Sequence, residues 1–203
     1  GVSTFTSFAN TPSTTETITF ANNATINSAA SFNRPVIISA AARIETIGGQ
    51  TYNGTVTPGA NVTFTAITVD FKGAVTGSSF TVNGATEVNT GEINTSGTQT
   101  YNGTVSLGAD VSFTAGTVNF KGAVTGTGFT VNGATAVNTG TINTSGNQTY
   151  KGTVTLENNA TLTALTVNLY ANVAASAGQT LTVDADLSIA ANLSIAAGSL
   201  VFS

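Results

Sequence analysis

The sequence predicts an all-β chain wound into one parallel β-solenoid (a β-helix), and three observations carry that prediction. The first is an internal repeat. Gln50-Thr-Tyr-Asn-Gly-Thr-Val56 returns as Gln99-Thr-Tyr-Asn-Gly-Thr-Val105 and, with one change, as Gln148-Thr-Tyr-Lys-Gly-Thr-Val154. The tyrosines stand at 52, 101 and 150, so the sequence repeat is 49 residues long, with none gained or lost between copies. A fixed period of this size marks an array of one supersecondary unit, which buries its core by stacking. The second observation is composition. Of 203 residues only 7% are charged while 40% are hydrophobic, which is neither the charge-rich, apolar-poor balance of disorder nor the Glu/Lys/Leu wealth of a coiled coil. The third is local pattern: short stretches alternate Val, Phe, Ile and Tyr with Thr and Asn, and glycine separates them. Recurring glycine and β-branched residues disfavour helix.

In chain order, residues 1–20 carry Phe5 and Phe8 outside the repeat. They are expected to form an N-terminal strand that caps the first rung, or one exchanged with a neighbouring subunit. Residues 21–203 are expected to form a single solenoid, with clear repeats over 48–175 and divergent turns over 176–203. A worn form of the pattern begins at Asn22, where Asn22-Asn-Ala-Thr-Ile26 matches Asn158-Asn-Ala-Thr-Leu162, and Phe32-Asn-Arg-Pro-Val36 parallels Phe71-Lys-Gly-Ala-Val75. Pro35 lacks an amide hydrogen and belongs at a strand start or edge. Within the first clear copy, strands are expected over Thr51–Thr57, Val62–Thr65, Thr68–Val75 and Phe80–Asn83. Asn83-Gly84 and Asn132-Gly133 read as turns, with glycine supplying positive φ. Tyr52-Asn-Gly-Thr-Val56 and Phe71-Lys-Gly-Ala-Val75 lie 19 residues apart, which suggests one turn of the coil. Each copy then holds between two and three turns, and Tyr52, Tyr101 and Tyr150 are expected to stack in related rungs. After Val173, the apolar pairs of Leu181-Thr-Val183, Leu187-Ser-Ile189, Leu193-Ser-Ile195 and Leu200-Val-Phe202 fall six or seven residues apart, as on a three-sided coil. An Ala-rich helix over 185–197 competes for this segment. The end at Val201-Phe-Ser203 has no charged or proline-rich cover, so Phe5, Phe8, Leu200 and Phe202 are the expected assembly contacts.

Chemistry finds little support. There is no Cys or His, which removes zinc–thiolate sites and histidine bases. Net charge is −4 and the five basic residues, Arg34, Arg43, Lys72, Lys121 and Lys151, are scattered, so nucleic acid is not an expected partner. No apolar run approaches the roughly 18 residues of a membrane span, so no membrane insertion is expected. Opening at Gly1 without a charged-then-apolar leader fits a processed chain or a cut segment. No acid recurs in every copy: Asp70 aligns with Asn119 and Asn168, Asp110 with Asn61 and Asn159, Glu87 with Ala136, and Glu92 with Thr141. A calcium ladder and a paired-carboxylate glycosidase site therefore lose support, and no catalytic residue, metal or cofactor is expected. Asp184 and Asp186 are two apart and could share a cation, but read first as a solvated pair on an outer strand face. Thr-x-Thr pairs such as Thr63-Phe-Thr65 raise ice binding, against which unequal turns argue.

The run Gln-Thr-Tyr-Asn-Gly-Thr-Val, with Val118-Asn-Phe-Lys-Gly-Ala-Val124, resembles the repeats of bacterial filamentous-haemagglutinin-like proteins and autotransporter adhesin passengers over about residues 48–175. That resemblance implies a right-handed coil that is secreted and displayed on the bacterial surface as adhesin stalk, biofilm matrix or fibre. Its relatives are usually far longer. The expected function is thus a non-enzymatic filament subunit that stacks head to tail with itself in an adhesive or biofilm-matrix role. The alternative is a stalk segment of a larger adhesin that binds host or bacterial surface glycans or other cells.

Overall fold

Every extended segment must find partners for its backbone amides and carbonyls. In this chain the strands between the two ends find them one turn earlier and one turn later. The computed structural model describes residues 2–5, 8–9, 16–175, 178–190, 194–196 and 198–203. Among the described residues there are thirty strands and no helix, and every strand pairing is parallel. Up to Thr141–Thr144, each strand pairs with the strand three places later, so one turn contains three strands and the coil has three faces. The first face, which includes Asn61–Thr65, Ser79–Val82 and Thr98–Tyr101, is an eleven-stranded sheet. The second includes Gln50–Tyr52 and Thr68–Phe71; the third includes Val56–Pro58 and Val75–Gly77. These two merge into one nineteen-stranded sheet because the ten-residue strands Ala160–Leu169 and Thr180–Ile189 run across the corner between them.

The chain is therefore an all-β parallel solenoid whose structural repeat is a turn of about 19 residues. Facing residues are 19 apart from Tyr52 to Phe71, with extremes of 17 from Phe71 to Val88 and 22 from Val173 to Ile195. The 49-residue sequence repeat does not coincide with it. Gln50–Tyr52 is the eighth strand, Thr98–Tyr101 the sixteenth and Gln148–Tyr150 the twenty-fourth. Eight strands at three per turn make two turns and two-thirds, so each copy starts on a different face. Tyr52, Tyr101 and Tyr150 consequently do not stack in one column, contrary to expectation. They sit on the second, first and third faces, where Tyr52 lies opposite Phe32 and Phe71, Tyr101 opposite Val82 and Phe120, and Tyr150 opposite Val131 and Leu169.

Alternation sends every second side chain inward, and the core forms from these. Phe20, Phe32, Tyr52, Phe64, Phe71, Phe80, Tyr101, Phe113, Phe120, Phe129 and Tyr150 make one unbroken run of ring contacts, with centroids between 4.8 and 6.3 Å apart. Because the copies change face, this aromatic spine changes face with them.

The corners replace the predicted turns. What reads as one strand over Thr51–Thr57 is two, Gln50–Tyr52 and Val56–Pro58, broken at Asn53-Gly54-Thr55. The glycines there serve close approach rather than positive φ, which among the described residues only Gly126 (132°) and Gly178 (92°) adopt. A Cβ on Gly103 would overlap the carbonyl oxygen of Gly84 in the preceding turn, and one on Gly122 that of Gly103. Gly54–Gly73 and Gly133–Gly152 repeat the arrangement at the other two corners.

Toward the C-terminus the coil continues. The helical alternative fails over 185–189, which belong to Thr180–Ile189; residues 191–193 and 197 lie outside the described residues. The strand persists because Leu187 and Ile189 fall in register on Val167 and Leu169, which keeps their parity inward.

Candidate functional site: the open tip of the coil

The interior of a solenoid can meet water without a covering turn only at its two ends. The last described strand, Ser199–Phe202, pairs with Thr180–Ile189 alone. Leu200 lies opposite Leu181 and Phe202 opposite Val183. Leu181 and Val183 are buried, whereas Phe202, on the same inward column one turn later, is 59% exposed. Ile189 stands in the same relation to Leu169, and Leu187 to Val167. Ile189 is 45% exposed above a fully covered Leu169. The tip thus presents a cross-section of the core (Leu187, Ile189, Leu200 and Phe202), bordered by strands with one unpaired edge among the described residues. Leu187 and Ile189 escape sequence reasoning, although Leu-Ser-Ile has the same spacing as Leu-Val-Phe, because register alone reveals that both reach the same end.

Phe5 and Phe8 are placed at the opposite end. Val2–Phe5 pairs in parallel with Asn23–Ile26, bringing Phe5 opposite Ile26. Phe8–Ala9 pairs with Ala30–Phe32, bringing Phe8 opposite Ala30. The backbone there continues the coil by another turn; the two side chains lie outside the described residues. The four predicted contacts are therefore divided between the two tips, with the whole coil between them.

Polar groups on the faces are dispersed. Comparing aligned copies compares different faces, so the true neighbour of Asp70 is not Asn119 but Glu87, its partner one turn later. Asp70 is buried on the outer surface, accepts a hydrogen bond from Asn89 Nδ2 (2.8 Å) and lies 3.6 Å from Lys72 Nζ. Arg34–Glu16 (2.6 Å) and Arg43–Glu45 (2.8 Å) are partly exposed ion pairs of small energetic weight. Asp184 and Asp186 are exposed. Among the described residues no three acid, His or Cys side chains gather as metal ligands would.

The interior holds one polar device that the sequence reading does not single out. Gln50, Gln99 and Gln148 are fully buried beside the repeat tyrosines. Tyr52 Oη donates to Gln50 Oε1 at 3.0 Å, while Gln50 Nε2 donates to the carbonyls of Ile44 (2.9 Å) and Thr65 (3.1 Å). Ile44 and Thr65 belong to consecutive strands of the adjoining face, so the amide ties two turns together across a corner. The same geometry returns at Gln99 with Tyr101, Ile93 and Thr114, and at Gln148 with Tyr150, Ile142 and Thr163. Burial raises the pKa of all three tyrosines well above the ordinary phenol value, so they are neutral donors. The signal was present in the sequence: a polar residue kept in all three copies at an inward parity.

Comparisons with protein families, with curated proteins and with solved structures found no match.

Proposed function

We propose that the protein is a structural element of the bacterial cell exterior, joining end to end with copies of itself into a fibre with an adhesive or matrix role. The exposed apolar side chains of the last described turn, Ile189 and Phe202, are the observation that carries this reading. Unpaired parallel edges offer a full row of backbone groups to another strand, and natural proteins guard such edges with charge, proline or a covering segment. Ser199–Phe202 has no charged or proline residue, and its Phe202 side chain adds apolar surface whose burial favours a further turn. Among the described residues, the strand Val2–Phe5 at the opposite tip is paired on one side only. A contact between unlike ends that stacks copies along the coil axis propagates as a filament. The bacterial, surface-displayed setting rests on the repeat resemblance.

The second reading, a stalk segment of a longer adhesin that touches glycans or other cells, is favoured by parallel pairing that holds among the described strands from Val2–Phe5 to Ser199–Phe202. Electron microscopy of the purified chain separates the two. Fibres as wide as one coil are expected, and Leu200→Asp with Phe202→Asp is expected to leave dispersed rods. Dispersed rods from the unaltered chain at high concentration would sink the fibre and leave the stalk.

A further inference from the structure

Two recesses on the outer surface are the same recess on different copies. The first, about 210 Å³, lies on the first face among Asn61, Thr63, Ser79, Thr81, Thr98 and Thr100. The second, about 570 Å³, lies on the third face and includes Asp110, Ser112, Thr130, Asn147, Thr149 and Lys151. Adding 49 to Asn61, Thr63, Thr81, Thr98 and Thr100 yields Asp110, Ser112, Thr130, Asn147 and Thr149. Their floors correspond as well, through Val62 and Phe80 in one and Val111 and Phe129 in the other.

The two recesses share one pattern of turn length. On the first face, facing residues are 20 apart from Arg43 to Thr63, then 18 from Thr63 to Thr81, then 19 from Thr81 to Thr100. On the third face the steps from Glu92 to Ser112, Thr130 and Thr149 are also 20, 18 and 19. Thr81 and Thr130 each lie on the middle of the three strands that line their recess. The third copy does not repeat it, since Gly178 stands where Phe80 and Phe129 stand.

We infer that these two grooves bind a neutral, extended oligosaccharide, one on each of two faces, so that the coil is bivalent. This rests on the glycan-contacting reading above and does not depend on fibre formation. Threonine and serine hydroxyls both donate and accept, as sugar hydroxyls do. Those of Thr63, Thr81 and Thr100 occupy successive turns, which spaces them by about 4.8 Å along the axis and suits a ligand that repeats its hydroxyls. The first groove contains no charged residue and the second contains one of each sign, so neither offers the arginine or lysine cluster that sulfate or phosphate requires. The outer lining is too polar for an apolar ligand. Exposed Leu165 borders the second groove and provides a surface for the C–H face of a sugar ring.

Calorimetric titration of the intact chain with neutral hexasaccharides (cello-, xylo-, manno- and chito-series) tests this. At least one series is expected to bind with two sites per chain. Thr81→Val with Thr100→Val, or Thr130→Val with Thr149→Val, is expected to reduce the count from two to one, and all four changes to zero. Thr155→Val, elsewhere on the first face, is expected to change nothing, and the melting temperature of each variant reports that the coil is intact. No binding by any series, undiminished binding in the four-site variant, or binding confined to sulfated sugars would overturn the inference. So would ice shaping without sugar binding, which would assign the hydroxyl rows to ordered water. Because binding is read on dispersed protein, its failure leaves the fibre untouched.

Discussion

At the scale of single side chains, the three interior glutamines have their amide donors and acceptors met, whereas the buried hydroxyls of Thr86 and Thr135 have no hydrogen-bond partner. Gln148 satisfies two carbonyls and a phenol at once, and Gln50 and Gln99 do the same on the other faces. A buried amide left with unmet partners costs about 1–3 kcal/mol for each group, so the residue beside each tyrosine has little freedom to change. The tyrosines also couple stability to alkali. Their folded pKa values lie above the unfolded value of about 10. The neutral form is the one the fold favours, so this contribution is fully present below pH about 10 and is lost as pH rises beyond it. Thermal melting followed by circular dichroism should show a midpoint that falls progressively above pH 10, with a shallower fall in Tyr150→Phe. A midpoint unmoved up to pH 12 would contradict the burial of these phenols. Asn side chains add a second, outer set of ties between turns, Asn53 to Asn33 and Asn102 to Asn83, both at 2.6 Å.

At the scale of elements, strands of three or four residues are held in place by their corners. Parity was legible from alternation, and so were the aromatic and Val positions that face inward, as at Tyr52, Val56, Phe71 and Val75. Corner geometry was not legible, because Asn-Gly carries the same signal in a hairpin turn as in a solenoid corner. Gly103 must lack a side chain since the next-lower turn passes directly beneath it, whereas Gly91 has its nearest obstacle, the Asp110 carbonyl, at 3.9 Å. Gly103→Ala should therefore lower stability by about 3 kcal/mol through a clash with backbone that has no room to yield. Gly91→Ala should be close to neutral. Chemical denaturation of the two variants checks the contrast, and equal effects would remove close approach as the reason for the corner glycines.

At the scale of the whole molecule, the offset between a 49-residue copy and a 19-residue turn makes the three faces interchangeable in sequence. The same motif meets a like environment on each of them, down to the two carbonyls and the phenol that each glutamine contacts. Excising residues 50–98 joins Gly49 to Gln99 and hands the role of Gln50 to Gln99. The shortened chain should fold as a coil with all later strands moved round by one face, and Gln99 should donate to Ile44. Circular dichroism with a retained β spectrum and a cooperative melt is the expected result; an unfolded product would show that the faces are not equivalent.

Fold class, turn length and the inward positions were readable in the sequence because they arise from neighbours within a few residues, through alternation, glycine spacing and exact repetition. The three-sided cross-section was readable only after Val173, where apolar pairs recur every six or seven residues. Which copy lies over which was a tertiary outcome. Alignment of a turn with the one below depends on the accumulated lengths of all the corners between them, and a period that is no whole number of turns conceals that sum. The same accumulation brings Asp70 beside Glu87, carries Leu187, Ile189, Leu200 and Phe202 to one tip, and places Thr81 and Thr130 on separate faces.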